Sequence, residues 1–186
     1  MGRRLVRVVL GVLVVLSGLP GTGKTAVAKA LASASSVVLA VHLRIDTIEA
    51  AIMRSGRNGA EPVGALGYDV AYALAEDHLR QGLTVIADAV NPLAVSREQW
   101  RAVAARAGAR CIEVEVRCSD KAEHRRRVRD RTTDVPGLTL PSWQDVQDRR
   151  YEAWDRPVVV LDTAERDVQD CVAELRRHVE QAWRLP

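Results

Sequence analysis

An α/β fold of three layers built on a five-stranded parallel sheet is what this 186-residue sequence predicts. Two observations lead there. Five short apolar segments alternate with helical patterns along the chain, which is the pattern of a sheet covered on both faces. The first segment, Val12 to Leu16, runs straight into Gly18-Leu19-Pro20-Gly21-Thr22-Gly23-Lys24-Thr25, a full G-x-x-x-x-G-K-[ST] pattern. Such a loop curls so that successive N–H groups point at phosphate oxygens. Its lysine reaches the β- and γ-phosphates, and its hydroxyl can hold Mg²⁺. The loop therefore assigns Gly18, Gly21, Thr22, Gly23, Lys24 and Thr25 to ATP and Thr25 to the metal.

The elements follow in order. Ala26 to Ala32 consists of strong helix formers and supplies the helix whose positive end faces the phosphates. Further strands are expected around Val41 to Ile45, at Leu83 to Ala87, at Ile112 to Val116 and at Val158 to Leu161. Residues 70–81 and 97–107 are Ala-rich and amphipathic, and Asp167 to Trp183 reads as a closing helix. Gly82 and Gly108 stand where helix C-caps belong. Thr132 to Pro141, with two prolines and a glycine, is expected to be a loop able to move over the site, followed by a helix begun at Ser142. The whole, residues 1–186, is read as one domain with an arginine-rich lid at about 119–141.

Composition excludes several classes. An apolar content of 47% with 27% charged residues is that of an ordinary globular protein. Three cysteines without C-x-x-C spacing suggest neither a disulfide framework nor a zinc site, and a cytoplasmic location is expected. The start, Arg3-Arg4-Leu5-Val6-Arg7 before an apolar run, imitates a signal peptide, but cleavage would destroy the phosphate loop. Residues 1–7 are read as a basic leader, and no membrane span is expected. The net charge of +3 permits an acidic ligand without demanding a polyanion. Its excess is local, with five arginines between His124 and Arg131.

Asp46, at the end of the second strand, stands where an acid can face a γ-phosphate and accept or orient an acceptor hydroxyl. With Glu49 it also matches a capping box. Asp88 ends the third strand in the position of a magnesium-binding acid, or forms a turn before Asn91-Pro92. The next residue is Ala89 rather than a water-activating glutamate, which favours transfer to a bound acceptor over hydrolysis. Asn91 is read as orienting the acceptor or forming the turn. Arg127 and Arg131, with His124, share a helix face and could neutralise charge developing on the triphosphate; Arg125, Arg126 and Arg129 are read as surface residues. Trp143, Tyr151 and Trp154 are either a pocket wall or packing, with packing preferred. Tyr68, Asp69, Tyr72 and Asp77 are placed on the acceptor side by position alone. Asp162 either approaches adenine or caps a helix.

With the phosphate loop, Arg-Ile-Asp-Thr-Ile around Asp46, Val-Ile-Ala-Asp-Ala-Val-Asn-Pro around Asp88, and Arg127 and Arg131 in this order, the chain resembles the AAA-like small P-loop kinases. That group includes chloramphenicol phosphotransferase, the zeta toxins, gluconate kinase and the kinase domain of polynucleotide kinase. The resemblance implies the strand order 2-3-1-4-5 of nucleoside and shikimate kinases, Asp46 as the acceptor-side base, and Arg127 or Arg131 in contact with ATP. A ring ATPase is not expected, and no Asn-Lys-x-Asp motif supports a GTPase. Glu49 stands where the polynucleotide kinase pattern has a phosphate-binding arginine, and a carboxylate there would repel a nucleic-acid phosphate. The expected activity is thus transfer of the ATP γ-phosphate, with Mg²⁺, to a hydroxyl of a sugar, nucleoside or antibiotic. The catalytic set is Lys24, Asp46, Arg127 and Arg131, and the metal set is Thr25 and Asp88. The alternatives are a polynucleotide 5′-hydroxyl kinase, a toxin acting on nucleotide sugars, and a nucleotide-controlled switch that engages a protein partner and transfers nothing.

Overall fold

The computed structural model describes residues 11–34, 39–56 and 63–184. The basic leader assigned to residues 1–7 lies outside them. The elements are β1 (Val12–Ser17), α1 (Lys24–Ser33), β2 (Ala40–Arg44), α2 (Ile45–Arg54), α3 (Leu66–Arg80), β3 (Thr84–Asp88), α4 (Ala94–Arg106), β4 (Arg110–Arg117), α5 (Lys121–Asp130), α6 (Trp143–Gln147), β5 (Val159–Asp162) and α7 (Val168–Arg184). The five strands form one parallel sheet in the order β2-β3-β1-β4-β5. This is the order the resemblance implied.

β1 is central, and every one of its residues is buried. Its side chains alternate between two cores. Val12, Val14 and Leu16 pack with Val27 and Leu31 of α1 and Leu175 and Val179 of α7. Leu13 and Val15 pack with Ala75 and Leu79 of α3 and Trp100 and Val103 of α4. Burial on both faces is why the strand reads as an unbroken apolar run rather than an alternation.

The sequence reading holds for every strand, with differences at the ends. β4 extends to Arg110 and Arg117 because its polar residues also pair in register, Arg110 with Val12 and Arg117 with Asp162. α3 starts at Leu66, carrying Gly67, Ala71, Ala75 and Leu79 along one buried stripe at i, i+4 spacing. Gly82 and Gly108 take φ of 78° and 63° just past α3 and α4, as helix-ending glycines do. Ser142 caps α6 in a reciprocal box with Asp145.

Two expectations are corrected. Asp46 does not end β2. The strand stops at Arg44 and the chain turns directly into α2, so Asp46 lies in the first turn of that helix. Asp162 does not cap a helix: its Oδ1 accepts from Ser119 N at 3.0 Å and Ala164 N at 3.1 Å, while Asp167 accepts from Asp170 N at the start of α7.

Candidate functional site

In an open parallel sheet the ligand crevice lies beyond the carboxyl ends of the strands, where the chain order reverses. β1 is that point, flanked by β3 and β4. A cleft of about 840 Å³ opens there, lined by residues from the phosphate loop, α1, α2, β3, α5 and the following loop. Gly21, Gly23, Lys24, Thr25, Asp46, Asp88, Arg127 and Arg131 all border it, so strand topology gathers most of the sequence-derived candidates in one place.

The loop is shaped by its glycines and its depth. Gly18 has φ 147°, and a Cβ there would lie 2.1 Å from Val116 O, so the loop can sit this close to β4 only with glycine. Gly23 precedes α1 and makes no side-chain cap, leaving the first N–H groups of the helix uncapped at the cleft. That arrangement suits an anion. Lys24 is 8% exposed and donates to Leu19 O at 2.8 Å. Burial pushes its pKa down to about 8 against the pull of Asp88 and Asp46.

Asp88 is 3% exposed. Burial pushes its carboxyl up, but hydrogen bonds from His42 and Thr25 and the charge of Lys24 outweigh burial and hold it below the usual carboxylate range. Among the described residues no group of three or more His, Cys, Asp or Glu is spaced to enclose a cation. An ionised carboxylate bonded to the loop threonine nonetheless fits Mg²⁺, which takes one or two protein oxygens and completes its shell with phosphates and water.

Asp46 is free of the capping role, because α2 has no side-chain cap. Its Oδ2 is instead 3.5 Å from Arg44 Nη2 and 3.7 Å from Arg131 Nη2. Glu49, one turn further along α2, also borders the cleft, with its carboxyl raised by burial and by Asp46. Gly67 of α3 makes room for it, since a Cβ there would lie 2.5 Å from Glu49 Cγ. Tyr68 is the member of the proposed acceptor-side group that reaches the cleft. Tyr72 turns to Ser96 O, and Asp69 and Asp77 do not border the cleft.

The two arginines differ. Arg127 borders the cleft, but its donors are taken by Glu123 Oε1 at 2.7 Å and by Thr163 Oγ1 and O, each at 2.8 Å. Arg131 lies just past the end of α5 and faces Asp46. His124 is buried and bonded to Pro20 O at 2.8 Å, tying α5 to the phosphate loop. Arg125, Arg126 and Arg129 are exposed, as expected.

Asn91 takes the turn role. It has φ 46°, is fully buried, donates to Ser17 Oγ and accepts from Trp100 Nε1, both at 3.0 Å. Trp143, Tyr151 and Trp154 pack rather than line the cleft. Trp154 and Tyr151 flank buried Arg97 at 4.2 and 5.0 Å, and Trp143 meets His124 edge-on. Sequence reasoning missed His42, Arg44, Arg97 and Asp134. For Arg44 and His42 the only available signal was two basic residues two positions apart in the otherwise apolar strand β2.

Among solved structures the chain is similar to the Mycobacterium tuberculosis APS kinase CysC in complex with AMPPNP and APS, at 22% identity and TM-score 0.71, covering 92% of this chain and 98% of that one. It is also similar to Chaetomium thermophilum Kti12 in complex with ADP-AlF3, at 21% identity and TM-score 0.67 over 92% and 98% of the two chains. A gluconokinase from Sinorhizobium meliloti 1021 matches at 20% identity and TM-score 0.59 over 90% and 93%. At these identities the likeness is one of fold. No curated protein matches the chain. The AAA_33 family, described as an AAA domain, matches residues 13–153, which is most of the chain. The chain belongs to that family.

Proposed function

We propose that the protein is an ATP- and Mg²⁺-dependent phosphotransferase that moves the γ-phosphate to a hydroxyl of a small molecule. The observation that carries this reading is the convergence of Lys24, Asp88 and Asp46 on one cleft, from three separate elements, with Asp46 uncommitted to any cap. Its volume is within the ~300–1,000 Å³ usual for small-molecule sites. Residues 1–186 act as one kinase domain, with α5 and the loop after it as the lid.

In this reading the phosphate loop and Lys24 hold the triphosphate. Thr25 and Asp88 are the residues that would hold Mg²⁺, which when bound would offset the charge of the phosphates. Asp46 orients the acceptor hydroxyl for in-line attack and takes its proton. Arg131, facing Asp46 across the cleft, offsets charge on the transferring group, and Arg127 braces α5 against the loop after β5. Ala89 beside Asp88 gives water no activating carboxylate, which favours transfer over hydrolysis. The small acceptor is favoured over a polynucleotide because Glu49 borders the cleft beside Asp46 and would repel a backbone phosphate. Two of the fold neighbours are named as kinases of small molecules, APS kinase and gluconokinase.

The test is γ-labelled ATP turnover against pooled sugars, nucleosides, antibiotics and a 5′-hydroxyl oligonucleotide, with wild type beside Asp46→Asn. A labelled small molecule whose formation needs Asp46 is expected. ATP binding without any labelled product would favour the switch reading instead.

A further inference from the structure

Arg44 is the last residue of β2, and its guanidinium is 8% exposed at the wall of the cleft. Its two terminal nitrogens reach two different acids. Nη1 donates to Asp134 Oδ1 at 2.6 Å, whereas Nη2 is 3.5 Å from Asp46 Oδ2. Nε is buried and has no hydrogen-bond partner among the described residues. A buried guanidinium is well stabilised only when its donors are engaged at short range. This one is divided unequally, with the short bond going to the loop over the site and the long one to Asp46.

Asp134 belongs to that loop and is fastened twice. Lys29 Nζ of α1 and Arg44 both donate to it, and the two bonds hold its carboxyl well below the usual carboxylate range. Two residues on, Pro136 O accepts from Arg54 Nη1 of α2 at 2.8 Å. The loop is thus strapped to the helix that carries Lys24, to the strand end that precedes Asp46 and to the helix that contains Asp46.

We propose that Arg44 is a positioning residue that couples the seating of this loop to the availability of Asp46, an inference that rests on the phosphotransfer role given to Asp46. With Asp134 seated, the planar fork is turned so that only Nη2 approaches Asp46, and the carboxylate is left open to an acceptor hydroxyl. With Asp134 withdrawn, Asp46 is the nearest acid left to the fork. The fork turns onto Asp46 as a two-bond ion pair, occupies both oxygens, and transfer stalls until the loop returns. Arg131, 3.7 Å from the same oxygen, adds charge without taking the carboxylate. A kinase built this way reacts only when the loop covers the site, which keeps water from competing with the acceptor.

The experiment compares wild type, Asp134→Ala, and Asp134→Ala with Arg44→Gln, measuring kcat, KM for ATP, and amide exchange of residues 132–141. Asp134→Ala is expected to lose roughly tenfold in kcat, with KM for ATP within about twofold, and to exchange faster in the loop. Adding Arg44→Gln is expected to recover most of the lost kcat while exchange stays fast, because the fork that captures Asp46 is gone. Arg44→Met in the same background carries the same expectation without a polar group to bury. If both double variants are as slow as Asp134→Ala or slower, the proposal is overturned and Arg44 is a structural ion-pair partner. A wild type that labels product without such recovery overturns this proposal alone. A wild type that labels no acceptor overturns the phosphotransfer reading along with it.

Discussion

His42 Nε2 lies 3.2 Å from Asp88 Oδ2, a contact made possible by the register that pairs Arg44 with Asp88 and brings β2 alongside β3. The imidazole is one of the groups that keep this buried acid ionised. His42→Leu should let Asp88 rise toward neutrality and weaken its hold on a cation. We expect the Mg²⁺ concentration for half-maximal turnover to rise severalfold, with turnover at saturating Mg²⁺ changed by less than about threefold. An unchanged Mg²⁺ titration would remove Asp88 from the metal assignment.

Lys24 gives a pH signature. Its pKa falls from 10.5 to about 8 on folding, so between these values the unfolded chain binds more protons and the Lys24 contribution to stability increases with pH. Lys24→Met should therefore melt higher than wild type at pH 7, by on the order of 3 kcal/mol, with the gap closing toward pH 10. ATP affinity of the wild type should fall as pH rises past 8, because a neutral amine no longer offsets phosphate charge. Equal melting of both proteins at pH 7 would contradict the buried charge.

Asn91 is a keystone of folding rather than of chemistry. Its side chain serves Ser17 and Trp100, its N–H donates to Tyr68 Oη at 3.2 Å, and its carbonyl accepts from Arg97 Nε at 2.9 Å. Asn91→Ala leaves the Trp100 indole N–H unpaired in a closed core and keeps an alanine at positive φ. A loss of about 2–4 kcal/mol in chemical denaturation is expected, with KM for ATP unchanged while the protein stays folded. A shift in acceptor KM without loss of stability would restore the acceptor-orienting role.

Glu49 adds a second carboxylate to the cleft near Asp46. Glu49→Arg should raise activity toward acceptors that carry a phosphate next to the reactive hydroxyl and lower it toward neutral ones, measured as the ratio of kcat/KM for a matched pair. Glu49 packs over Gly67, where no Cβ stands in its way, and borders the open cleft, so the variant is expected to fold. A ratio unchanged by the reversal of charge would place the acceptor elsewhere in the cleft.

What could be read in advance was local. The loop from Gly18 to Thr25 declares itself within eight residues, and each strand is a short apolar run between turn signals. Arg44 with Asp134 and His42 with Asp88 are separated by 90 and 46 positions, and no spacing along the chain announces such pairs. The capping box that Asp46 and Glu49 match as an alternative does not form, for a related reason. It presumes a turn between strand and helix, whereas β2 passes into α2 with Arg44 as the last extended residue. Tyr151 and Trp154 looked like a cluster with Trp143 because they are near it in sequence, but they are held by Arg97 of α4, and Trp143 went to His124.

Thr163 Oγ1 donates to Thr22 O at 2.9 Å, across 141 positions, while accepting from Arg127. The phosphate loop is thus synthesised well before the residue that braces it. During translation the octapeptide would emerge early and remain without that brace until β5 had left the ribosome and joined the sheet. A nascent chain stalled before residue 163 should hold ATP poorly even with β1 and α1 in place. The capacity to grip nucleotide would then arrive abruptly, with the residue that closes the brace rather than with the loop itself.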